Sequence, residues 1–218
     1  KAKKSALLTN FMLLQGVLVL WMASKLLKTF APDAPLKFFF VVCQYAGVCF
    51  LGAFFVRFAH LFAKVFPPPH KVMTALYACS AVMFLVVVTN PLHHLFYSHF
   101  DFLGDSFGPL FYTQQAIQFA LLLIGVLLCV KAYFASFGQK FAQAVLFTIA
   151  ILIPIVANML YVFRWFKAVF GFSPPFDITP MSASISLALF AFATFKLELF
   201  DSLNIALEKA LCDVPSGI

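Results

Sequence analysis

The sequence predicts an all-α membrane protein, a polytopic bundle of helices, on three observations. Hydrophobic residues make up 63% of its 218 positions and charged residues 11%, more apolar surface than a soluble core of this size encloses. Six apolar runs are each long enough to cross a hydrocarbon layer about 30 Å thick, which takes roughly 20 helical residues. None of them alternates with the period of two of a barrel strand, and in the absence of water helices are left to satisfy the backbone.

The runs cover residues 5–30, 36–66, 71–97, 108–136, 139–167 and 180–200. Between them the breaks are rich in proline and glycine: Ala31-Pro32-Asp33-Ala34-Pro35, Pro67-Pro68-Pro69, residues 104–109, Phe137-Gly138 and residues 171–175. The third run closes on Thr89-Asn90-Pro91-Leu92-His93-His94-Leu95-Phe96-Tyr97, where Asn90 and Pro91 release backbone groups and the aromatic end rests in the interface. In the fifth run Pro154 removes one backbone bond and predicts a kink near residues 148–153, either a static bend or a hinge. Thr179 before Pro180 reads as the N-cap of the sixth. Along that helix Ser184, Ala188 and Ala191 put small side chains on one face, which permits close packing in lipid.

Charge sets the expected orientation. With the amino end inside, Lys1, Lys3, Lys4, Arg57, Lys64, Lys71, Lys131, Lys140, Lys196 and Lys209 fall on the cytoplasmic side. Lys25, Lys28, Lys37, Arg164 and Lys167 fall outside, together with Asp101 and Asp105. The expected location is the inner (plasma) membrane with a cytoplasmic carboxyl end. The basic residues are dispersed, so the net charge of +7 reads as topology and contact with membrane lipid and not as nucleic-acid binding. Cys43, Cys49, Cys79 and Cys129 sit in apolar runs without C-x-x-C spacing, and Cys212 lies beyond the last run; they read as small apolar residues and a free thiol. No cleavable signal peptide is expected, because the first run is too long for one.

Polar residues gather toward the outer side. Gln114, Gln115 and Gln118 form an amide stripe at spacings of three and four, open to two readings: hydrogen-bonded glue between helices, or contact with a ligand. Asn90, Asn158, Tyr161 and Arg164 lie at similar depth on neighbouring helices and complete a candidate pocket for a small ligand, with His93 and His94 at its mouth. The two histidines diverge by about 100° on a helix and cannot both ligate one metal in regular geometry. There is no glycine-rich phosphate loop, no G-x-S-x-G element and no pair of carboxylates within a run, so no catalytic residue and no cofactor is expected. Lys196 invites a retinal-protein reading, but no acidic residue sits mid-run as its counter-ion. A transporter or channel is the alternative function, with broken helices in matching halves as its missing signature.

The ending Thr89 to Tyr97, then Gly108-Pro109-Leu110-Phe111-Tyr112, then Ile153-Pro154 through Ala157-Asn158-Met159-Leu160-Tyr161, then Asp177-Ile178-Thr179-Pro180 carry a resemblance. In their order and spacing they resemble the amino-terminal seven-transmembrane sensor region of bacterial and archaeal histidine kinases. The tail Phe195-Lys196-Leu197-Glu198-Leu199-Phe200-Asp201 is similar to that family's exit from its last helix. Where the family tends to aromatic and small residues after Tyr112, this chain has Thr113-Gln114-Gln115-Ala116-Ile117-Gln118.

The resemblance implies a seventh helix before Lys1, a sensory role for residues 1–200, and a cytoplasmic signalling helix over 201–218 leading to a further domain. Leu199, Leu203, Ala206 and Ala210 recur as one edge of a short coiled coil, or of an amphipathic helix on the membrane. It also implies a small or lipophilic ligand, a homodimer through the output domain, and a response regulator as the partner of the parent kinase.

Overall fold

The computed structural model describes residues 2–65, 68–99, 106–134, 139–163, 165–172 and 177–196. In order these form α1 (Ala2–Phe30), α2 (Ala34–Phe62), α3 (His70–Val88), α4 (Asn90–His93), β1 (Tyr97–His99), β2 (Ser106–Phe107), α5 (Pro109–Phe134), α6 (Gln139–Val162), α7 (Phe166–Phe170) and α8 (Thr179–Phe195). The expected stalk over 201–218 and the Phe137-Gly138 break lie outside the described residues.

Among the described residues five helices are long and apolar enough to cross a membrane: Ala6–Phe30, Ala34–Phe62, His70–Val88, Pro109–Ala132 and Phe141–Val162. The sixth expected span is shorter there. Thr179–Phe195 has 17 residues, about 26 Å at 1.5 Å per residue, just under the hydrocarbon thickness. Residues 197–200 of that run lie outside the described set.

Successive long helices run up and down. Helix α1 packs on α2 and α8, α2 on α5, α5 on α6, and α6 on α8, which closes a ring of five; α3 lies outside the ring against α2. Half of the α2 span is buried, whereas α3 is mostly exposed, as expected of a helix that presents its apolar surface to lipid. Inside the ring the core is aromatic: Phe58 meets Phe147 edge-on at 5.3 Å, and Phe147 meets Phe190 at 5.5 Å. Helices α2 and α5 approach closely at Gly52, where a Cβ would lie 2.9 Å from Leu121 Cβ and 3.0 Å from Gln118 Oε1.

Helix boundaries differ from expectation at α2, which ends at Phe62 and not at 66, at α6, which ends at Val162 and not at 167, and at two polar positions. The third run does not stay helical to Tyr97: α3 stops at Val88, α4 adds one turn, and His94 takes the left-handed conformation at φ 51°. At the same end of the bundle Thr179 is already inside α8. Its hydroxyl does not cap; Asp177 Oδ1 accepts from the Thr179 backbone N–H at 2.9 Å in its place.

Pro154 lies within α6, and the carbonyl it leaves without a helical partner is that of Ala150, four residues back. The buried Ser186 hydroxyl of α8 donates to that carbonyl. A neighbouring helix thus supplies the bond that proline removes, as lipid requires. Replacing Ser186 with Ala is expected to cost about 1 kcal/mol, near the ordinary worth of an interhelical hydrogen bond in a membrane. In a Pro154→Ala background the restored N–H takes the Ala150 carbonyl, so the same Ser186→Ala change should cost much less. Thermal unfolding of the four purified variants in one detergent measures this cycle, and equal costs in both backgrounds would refute the pairing.

Candidate functional site

Asn90 organises the turn after α3. Its Oδ1 accepts from the backbone N–H of Phe96 and of Tyr97, both at 3.0 Å, and its Nδ2 donates to the Tyr97 carbonyl at 3.1 Å. The side chain is 1% exposed, so these bonds are dry. His93 assists from the edge: its Nδ1 accepts from the Leu95 N–H at 2.9 Å, and its Nε2 lies 3.3 Å from Thr89 Oγ1. His94 is exposed.

This turn feeds an antiparallel hairpin in which Tyr97 faces Phe107 and His99 faces Ser106. Gly108 then passes so close to the Leu95 carbonyl that a Cβ would fall 2.1 Å from its oxygen. The result is an aromatic seat, with Phe107 and Phe111 stacked at 3.8 Å and Tyr45 edge-on to Phe96 at 4.9 Å. Tyr45 and Tyr97 share a hydrogen bond of 2.8 Å between their hydroxyls. The buried Lys28 places its ammonium 5.9 Å from the Tyr97 ring centre.

Beside this seat a polar relay crosses the bundle. Gln115 Nε2 donates to Asn158 Oδ1 at 2.7 Å, and Asn158 Nδ2 donates to Thr179 Oγ1 at 3.3 Å. Thr179 Oγ1 in turn donates to Asp177 Oδ1 at 2.6 Å, and Asp177 Oδ2 pairs with Lys25 Nζ at 3.2 Å. The relay ties α5, α6, the start of α8 and the end of α1 together.

Two small cavities flank it and share Trp21, Val48, Gln115 and Asn158 as walls. The one nearer the hairpin holds about 40 Å³ and is also lined by Lys25, Gln44, Tyr161 and Asp177. The deeper one holds about 70 Å³ between α1, α2, α5, α6 and α8, with Gln118, Pro154, Thr179 and Ser186 on its wall. Gln118 lies about 14 Å along α5 from Pro109, near the middle of the hydrocarbon layer. It is 5% exposed, and neither its Oε1 nor its Nε2 has a hydrogen-bond partner.

Of the candidate site residues, Gln115, Gln118, Asn158 and Tyr161 come together at the cavities. Gln114 is buried on α5 but lines neither cavity. Asn90, His93 and His94 stand apart in the α4 turn. Arg164 lies outside the described residues. Lys25, Gln44, Asp177, Thr179 and Ser186 join the site without having been singled out as binding residues; the Asp177-Ile178-Thr179-Pro180 spacing was the one legible signal among them. Among the described residues no three His, Cys, Asp or Glu side chains are placed to hold a metal ion, and Cys43, Cys49, Cys79 and Cys129 are free.

Fold and site define a multi-pass helical membrane protein with a polar cluster inside one end of its bundle. The chain belongs to the family described as the N-terminal 7TM region of histidine kinase, which matches residues 1–203. It is a transmembrane sensor region of that kind. No curated protein and no solved structure matches it.

Asn90→Ala removes three buried bonds and leaves two N–H groups and one carbonyl unmet. The expected cost is about 1–3 kcal/mol or more, read as a lower melting temperature and as faster amide exchange at Phe96 and Tyr97. Unchanged exchange at those two amides would show that the turn holds without it.

Proposed function

We propose that this region is the receptor of a two-component histidine kinase, and that its ligand is a small, mainly apolar molecule with a hydrogen-bonding end, bound in the cavity beside Gln118. The observation that carries this reading is the Gln118 amide, buried in an apolar bundle with both polar atoms unpartnered. Leaving such a group unmet costs about 1–3 kcal/mol, which a ligand's polar group recovers. The rest of the wall is apolar, including Leu18, Leu51, Phe119 and Leu122, and selects against strongly hydrated molecules.

Gln115 and Asn158 line the same cavity and hold the relay to α8, so a ligand that engages them competes with helix–helix bonds. Differential affinity for two helix arrangements then shifts their populations. A difference of about 1–3 kcal/mol moves the equilibrium some 5–150-fold. The charge asymmetry of the loops supports a relay end that faces outward and a carboxyl end that faces the cytoplasm, where α8 leads toward a dimeric kinase and its response regulator. Of the other candidate residues Tyr161 lines the neighbouring cavity, Gln114 is buried on α5, and Asn90, His93 and His94 hold the α4 turn.

The test is Gln118→Leu. Short-chain alkanols and lactones are expected to raise the melting temperature of the purified wild-type protein saturably, by the linkage of binding to stability. In the variant that increment should vanish while membrane insertion is kept, and the ligand-free protein should melt at the same temperature or higher. The same change is expected to abolish signal-dependent autophosphorylation of the full-length kinase in vesicles. A variant that melts well below wild type and keeps the increment would make the amide structural.

A further inference from the structure

A cavity of about 420 Å³ lies at the opposite end of the bundle, between the end of α2 and the start of α3, with Ala6 of α1 at its edge. Its polar wall is rich in donors. Arg57 and His60 come from α2, and His70, Thr74 and Tyr77 come from positions four and seven residues along a single face of α3. Thr74 Oγ1 donates to the His70 carbonyl at 3.0 Å and lies 3.3 Å from His70 Nδ1, so it can brace the imidazole from one side. Lys64 lies on the chain that joins the two helices, and Lys71 in the first turn of α3.

No carboxylate answers this charge from the elements that form the cavity. Helices α1, α2 and α3 contain no Asp or Glu, and the nearest acidic residue in sequence, Asp33, caps α2 at its far end. Arg57 makes no ion pair among the described residues. It sits about 8 Å back from the end of α2, inside the apolar span and not in the loop beyond it. A guanidinium at that depth needs an anion at the hydrocarbon boundary, and the planar fork of Arg matches a phosphate bidentately. The cavity also has an apolar side, formed by Leu61 and Met73, and α3 exposes Val72 next to it. A ligand that is anionic at one end and apolar at the other fits both walls. Phosphate on a glycerolipid has that chemistry, and basic pockets between membrane helices take such headgroups.

We propose that this cavity is a headgroup site for an anionic phospholipid, with the phosphate held between Arg57 on α2 and the His70 ring on α3, which Thr74 braces. The site joins α3, which has little other packing, to α2 through a lipid. It is separate from the ligand cavity at Gln118 and does not depend on that reading.

The experiment compares the purified protein in phosphatidylcholine nanodiscs with the same discs containing phosphatidylglycerol, alongside a detergent sample given inorganic phosphate. Phosphatidylglycerol is expected to raise the melting temperature of wild type saturably, while inorganic phosphate at the same concentration does not. Arg57→Gln should weaken that apparent affinity by about tenfold or more, the loss of one charged hydrogen-bonded pair, with its melting temperature in phosphatidylcholine unchanged. Lys131→Gln, a change to an exposed cation on α5 at the same end, should leave the affinity as it is. Equal losses in Arg57→Gln and Lys131→Gln would overturn the site in favour of diffuse attraction, and a response to inorganic phosphate alone would overturn the lipid assignment. If Arg57→Gln does not fold, His70→Gln combined with Thr74→Val tests the α3 wall, and an unaltered lipid response in that variant would also refute the proposal.

Discussion

Lipid offers no hydrogen bonds, so each backbone group released where a helix breaks must find its partner elsewhere in the protein. Three side chains meet that constraint, and the geometry of the functional end follows from them. Asn90 gathers the N–H groups of Phe96 and Tyr97 after α3 ends, Ser186 takes the carbonyl that Pro154 strands, and Asp177 receives the first N–H of α8. Asn90 is fully used by the backbone, whereas Asp177 also accepts from the Thr179 hydroxyl and pairs with Lys25. Because Asn90 fixes the turn, the hairpin seats Phe96 and Tyr97 against Tyr45 and Phe111. Because Asp177 starts α8, Thr179 is free to receive Asn158.

Gln115 and Asn158 have two duties. They form the middle of a relay that reaches Lys25, and they line both cavities. Bonds of this kind between membrane helices are worth roughly 0.6–2 kcal/mol each. Such a relay is strong enough to favour one helix arrangement and weak enough to be displaced by a bound molecule. Gln118 differs in having no protein partner to lose, so contact with it is a net gain for a ligand, whereas contact with Gln115 is an exchange.

Sequence reading is strongest where a single local requirement acts, and the apolar runs are such a case: α1, α2, α5 and α6 were placed to within five residues of their ends. It failed at 89–97 because the partners of Asn90 lie six and seven residues ahead, a separation that no hydrogen bond within a helix spans. Thr179 followed by Pro180 has the residue types of a capped start, yet its hydroxyl is drawn away by Asp177 on one side and Asn158 on the other. The amide stripe on α5 was legible from its spacing, but not which amide stays unpartnered: Gln118 packs against Gly52 of α2, which has no side chain to bond it. Lys25 with Asp177 joins opposite ends of the chain and is visible in the folded molecule alone.

On the proposed receptor reading, helix α8 is the element through which a signal leaves the bundle. It is fixed at its start by the Asp177 and Thr179 bonds, midway by Ser186 on the Ala150 carbonyl, and farther along by Phe190 in the aromatic core. Rotation or sliding of α8 has to break the Ser186 bond, since the carbonyl it meets is fixed by the proline of α6. Regular helix positions impose no such condition, because a carbonyl already bonded within its own helix has little to lose when a neighbour moves. The cost of that step is about 1 kcal/mol, and the loss of the Asn158 to Thr179 bond adds a similar amount. A ligand that satisfies Gln118 supplies about 1–3 kcal/mol. On that reading, a ligand moves α8 only by the difference in its affinity for the two positions, and a difference of about 2 kcal/mol offsets the two bonds.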